Sequence, residues 1–151
     1  MDKKMKTALL VVFCVLIIVA SFIGMQYVRS TYSQQTIEFG DITFKAPNGY
    51  SYENGSFDEV VDDSNNGTTF YKIILQNQDS IIEFRQYNST LQLDGNDVID
   101  LNKVSVYKNG TDSNNQYYYF NFNGKGYTIV TPSGDSDQLI KDIVENMEKK
   151  Q

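Results

Sequence analysis

The sequence predicts an α+β fold: an N-terminal transmembrane helix, then an antiparallel β-sheet domain with a packed C-terminal helix. Three observations carry the prediction. Residues 8–25 form an 18-residue run without a charge, behind Lys3, Lys4 and Lys6. Between residues 36 and 131, short runs rich in aromatic and β-branched side chains recur between turns of Gly, Asn and Asp, a pattern of strands and tight connections. From residue 137 the apolar spacing changes to that of an amphipathic helix.

Gln26, Tyr27 and Val28 extend the first run to residues 8–28. At 1.5 Å per residue such a helix is about 30 Å long, the thickness of a hydrocarbon core. The lysines before it place the N-terminus in the cytoplasm and the rest outside. The expected organisation is a basic cytoplasmic N-terminus (1–7), a transmembrane helix (8–28), a polar tether (29–35) and an extracytoplasmic domain (36–151), with the lipid bilayer contacting residues 8–28. Two alternatives share this segment. Val19-Ala20-Ser21 is an acceptable cleavage site for a signal peptide, which would release a secreted domain. An apolar helix before a β-rich domain is also the layout of a pilin-like subunit, although the run contains no Glu.

Within the domain, residues 36–39 and 42–46 flank Gly40-Asp41 as a hairpin, and Pro47-Asn48-Gly49 ends it. Residues 50–57 read as irregular and 59–61 as a short strand. Residues 69–75, 81–87 and 103–108 are stronger strands, with a short helix expected near 97–102. Residues 117–122 and 127–131 form the clearest hairpin, across Asn123-Gly124-Lys125-Gly126. Asp135 suits an N-cap, and Gln138 completes an approximate capping box. Leu139, Ile140, Ile143, Val144 and Met147 then share one helix face, which should lie on the sheet.

Composition removes whole classes of chemistry. The chain has no histidine, and its one cysteine, Cys14, lies inside the apolar run. His-dependent triads and zinc sites therefore lack their ligands and bases, and no cofactor is expected. Residues 30–151 carry 9 Lys+Arg against 18 Asp+Glu, a balance that repels nucleic acid. Asp62-Asp63-Ser64-Asn65-Asn66-Gly67 opens like a calcium loop, but the twelfth position is Ile73 where glutamate is required. Asp94, Asn96, Asp97 and Asp100 form a second oxygen-rich cluster. Paired carboxylates can hydrolyse glycosides, and a solvated loop leading into a helix cap is the plainer account.

The opening Ile42-Thr43-Phe44-Lys45-Ala46-Pro47-Asn48-Gly49-Tyr50, the hairpin over 117–131 and the helix over 137–147 resemble small envelope domains of PsbP/Mog1-like α+β fold. The resemblance spans roughly residues 36–148 and rests on structural punctuation. It implies adaptor, assembly or binding roles without catalysis.

Two groups of residues stand out as candidate sites. Four sequons, at Asn54, Asn66, Asn88 and Asn109, fall in expected loops and are possible glycosylation positions. The chain also has 11 Tyr and no Trp. Strand alternation places Tyr118, Phe120 and Phe122 on one face and Tyr117, Tyr119 and Asn121 on the other. If the first set faces the helix, the second forms an exposed stripe suited to a peptide or sugar. β-propensity and cross-strand pairing account for the same tyrosines without a ligand. The expectation is a non-enzymatic, membrane-anchored binding or assembly module, with a cell-surface protein or glycan as partner. A carboxylate-only glycan hydrolase is the enzymatic alternative.

Overall fold

The computed structural model describes residues 2–32, 34–52, 57–62, 67–111, 114–134 and 136–151. Two compact units divide the chain, Met1–Gln34 and Gln35–Gln151.

The first unit is one helix, α1 (Lys3–Tyr32). Its described apolar side chains, including Leu9, Phe13, Leu16, Ile18, Phe22 and Ile23, are exposed. Among the described residues no helix is long and apolar enough to cross a membrane. This corrects the expected transmembrane helix over 8–28, and the bilayer contact and single-pass placement derived from it.

The second unit is β-rich, with eleven strands and one helix: β1 (Thr36–Phe39), β2 (Ile42–Lys45), β3 (Ser51–Tyr52), β4 (Asp58–Asp62), β5 (Thr68–Gln76), β6 (Ile81–Tyr87), β7 (Asp97–Asp100), β8 (Ser105–Thr111), β9 (Asn115–Phe122), β10 (Lys125–Pro132), α2 (Asp137–Glu145) and β11 (Glu148–Lys149). The large sheet runs β3-β5-β6-β10-β9-β8-β7, with β4 also on β5; the small sheet runs β1-β2-β11. Among the described residues every pairing is antiparallel.

Sequence periodicity explains how the layers meet. Ile73 and Leu75 of β5, Ile82 and Phe84 of β6, Tyr127 and Ile129 of β10, and Tyr118 and Phe120 of β9 are all at most 1% exposed. On β5, β6 and β9 they alternate with partly exposed residues, so one face of the large sheet is buried; on β10, Thr128 and Val130 of the opposite face are buried as well. Against it lie Ile37, Phe39, Ile42 and Phe44 of the small sheet and Ile140, Ile143, Val144 and Met147 from and just after α2, in one continuous core. Phe84 is central, with ring centroids 5.4 Å from Phe39 and 5.0 Å from Phe44. Polar contacts seat the helix. Asp137 in its first turn accepts from the Tyr118 hydroxyl at 3.0 Å and from Lys108 at 3.2 Å, and Lys103 donates to the Met147 carbonyl at 2.7 Å. Charge of each sign thus sits at the helix end it stabilises.

Three local expectations differ. Residues 97–100 form edge strand β7 and not a helix, because Asp97 to Asp100 pair with Lys108 to Ser105; tertiary pairing overrides a weak local preference. The N-cap is Ser136, without a side-chain cap bond. Asp135 lies outside the described residues, and Gln138, expected in a capping box, donates to Asp142 at 3.0 Å. Strand β11, too short to show a period, closes the small sheet through Glu148↔Thr43 and Lys149↔Ile42.

Candidate functional site: the open face of the large sheet

Among the described residues neither α2 nor the small sheet joins the core from the other face of the large sheet, although Phe70, Thr128 and Val130 on it are themselves buried. Strand register places its side chains in rows. One row runs Lys72 (β5), Arg85 (β6), Thr128 (β10), Tyr119 (β9) and Tyr107 (β8). A second runs Ile74, Glu83, Val130 and Tyr117, and a third Phe70, Tyr87, Gly126 and Asn121. Strands lie about 4.8 Å apart, so the first row is about 19 Å long.

The rings of Tyr117 and Tyr119 lie nearly parallel, with centroids 6.4 Å apart and planes at 14°, as i and i+2 neighbours on one strand face should. Both are partly exposed. Burial pushes the Tyr119 phenol above its ordinary pKa, and the Tyr87 and Tyr117 hydroxyls add to this while Arg85 opposes it. Arg85 lies 4.8 Å over the Phe70 ring and pairs with Glu83. Desolvation works against its charge, but the hydrogen bond and charge of Glu83, with a smaller contribution from Tyr87, leave its pKa raised. The guanidinium is therefore a fixed, locally neutralised cation. Beside it in register, Thr128 is 1% exposed, and its Oγ1 has no hydrogen-bond partner among the described residues. A buried hydroxyl without a partner is uncommon, because its lost hydration is not replaced.

Asn121 is placed on this face but is committed elsewhere. Its Oδ1 accepts from the Leu91 N–H at 2.7 Å and its Nδ2 donates to the Leu91 carbonyl at 2.8 Å. The amide thus binds the 89–91 loop as another strand would. Gly126 beside it donates to the Ser89 carbonyl at 2.9 Å, and any Cβ there would strike Leu91. Asn121 holds the rim of the face, while Tyr117 and Tyr119 form its floor with Tyr87 and Arg85, which the sequence reading missed. Their alternation with core residues Phe84 and Gln86 was readable, but their position two strands from Tyr119 was not.

The other sequence candidates do not converge. Asp94, Asn96, Asp97 and Asp100 are exposed. Asp97 and Asp100 are three apart on β7 and point to opposite faces, so they cannot flank one glycosidic bond. Residues 63–66 of the calcium-like loop lie outside the described residues, and among the described residues no group of acidic side chains could hold a metal. Asn54 and Asn66 also lie outside the described residues. Asn88 is exposed at the end of β6, and Asn109 is exposed and donates to the Asp94 carbonyl at 3.1 Å. No protein family, curated protein or solved structure matches the chain.

Proposed function

We propose that the Gln35–Gln151 domain is a non-catalytic binding module that docks its partner on the open face of the large sheet, over Tyr117, Tyr119, Tyr87 and Arg85. The carrying observation is the orphaned Thr128 hydroxyl beneath partly exposed, nearly parallel tyrosine rings. Rigid aromatic side chains give broad contact at low entropic cost, and the Arg85–Glu83 pair adds orientation. The sequence pattern that resembles PsbP/Mog1-like domains agrees with a binding role, and the lack of histidine argues against the commonest acid–base chemistry.

The test compares partners recovered by the full chain with those recovered by a Tyr117→Ala/Tyr119→Ala variant and by a Val98→Ala control on edge strand β7. The double variant should keep its circular-dichroism spectrum and lose the partner that the control retains. Equal recovery of every partner by all three chains refutes the assignment of this face.

A further inference from the structure

Resting on that reading of the face, we infer that its ligand is a neutral oligosaccharide, laid across β9, β10 and β6 with sugar rings against Tyr117 and Tyr119.

The face carries Arg85, Glu83 and Lys72, with Asp58 directly opposite Lys72. Arg85 is already paired with Glu83, so an anion would have to compete with a carboxylate in contact. Residues 30–151 carry 18 acidic against 9 basic side chains, which repels anions at longer range. A cation would meet the guanidinium.

Around Tyr119 the groups are the hydroxyls of Tyr87, Tyr117 and Thr128 and a fork of donors beside a carboxylate. A sugar hydroxyl both donates and accepts, so vicinal hydroxyls can satisfy a carboxylate oxygen, a guanidinium N–H and a phenol together. The Thr128 Oγ1, flanked in register by Tyr119 and Arg85, has no hydrogen-bond partner among the described residues. A peptide's backbone groups are better served by a sheet edge, where unpaired N–H and C=O groups are available.

The rings of Tyr117 and Tyr119 follow one strand and lie nearly parallel, with centroids 6.4 Å apart. The C–H bonds on one face of a pyranose are polarised by adjacent oxygens, and the negative face of an aromatic ring attracts them. The row from Tyr107 to Lys72, about 19 Å long at ordinary strand spacing, accommodates more than one sugar ring.

The experiment is native affinity electrophoresis of the full chain through gels holding a neutral β-glucan, a neutral galactomannan or anionic polygalacturonate, with a high-mannose glycoprotein as a fourth probe. Retardation by a neutral polysaccharide, weakened at least tenfold in Tyr119→Ala and kept in Tyr119→Phe, supports the inference. Retardation by the glycoprotein alone, with the same variant pattern, also supports it and assigns the glycan to a protein carrier. Should Tyr119→Ala fail to fold, ring-proton shifts of Tyr117 and Tyr119 on titrating the wild-type chain with a neutral hexasaccharide decide the matter. Stronger retardation by polygalacturonate overturns the neutral class. If no probe retards the chain while the Tyr117→Ala/Tyr119→Ala variant still loses a protein partner, the glycan is refuted and the binding face stands. If a neutral glycan retards wild type and double variant equally, both readings fall.

Discussion

Substituting alanine for Gly40 should cost this domain several kilocalories per mole, and most of that loss should pass through one distant side chain. Gly40 turns the β1–β2 hairpin at φ +56°, in the left-handed region where a Cβ costs about 1–2 kcal/mol. A Cβ there would also overlap the amide oxygen of Gln86. Gln86 is 1% exposed, and its Nε2 donates to the Tyr127 hydroxyl at 3.2 Å. Displacing the amide would leave buried polar groups unpaired, at about 1–3 kcal/mol. Gly40→Ala should therefore destabilise by about 2–5 kcal/mol in total. Urea unfolding of Gly40→Ala, Gln86→Ala and the double variant separates the two causes. In the Gln86→Ala background only the backbone strain remains, so the cycle should show a coupling of about 1–3 kcal/mol. Costs that add to within about 0.5 kcal/mol would show that the hairpin does not press on Gln86, and the docking of the small sheet would need another explanation.

Two further predictions concern buried hydroxyls. Thr128→Val keeps side-chain volume and removes an orphaned Oγ1, so it should raise stability by about 1 kcal/mol in urea; a loss of that size would mean that the hydroxyl is satisfied in the free domain. Tyr127 has its pKa pushed up to about 12, first by burial and then by Asp41, against the Gln86 hydrogen bond. Its native state holds the proton more tightly than the unfolded chain, whose phenol titrates near 10. The resulting stability is complete below pH 10 and lost as pH rises from about 10 to about 12, by about 3 kcal/mol. Tyr127→Phe should flatten the stability curve over that interval, and an unchanged slope would refute the assignment to this residue.

Much of the domain was legible in sequence because period alone reports which side chains share a surface. The hairpin over β9 and β10 and the stripe Leu139, Ile140, Ile143, Val144 and Met147 were read from alternation and helical spacing. The structure buries Ile140, Ile143, Val144 and Met147 and leaves Leu139 partly buried at the margin. Elements whose order depends on a distant partner were not legible. β7 exists through β8 and β11 through β2, and neither carries enough local preference to announce itself. The helix over 8–28 shows the opposite error: an apolar run was read as a membrane span, whereas no helix among the described residues meets the length and apolarity required.

The candidate face divides in the same way. The sequence by itself determined that Tyr117, Tyr119 and Asn121 share a surface and that no His-based or Cys-based chemistry is available in the domain, since both follow from chain order and composition. Only the tertiary structure decided what that surface is. Strand order brings Arg85 and Tyr87 of β6 within two strands of Tyr119, commits Asn121 to the Leu91 backbone and leaves Thr128 buried without a partner. Register between strands far apart in the chain is set by packing of the buried face, and local sequence does not encode which strands will be neighbours.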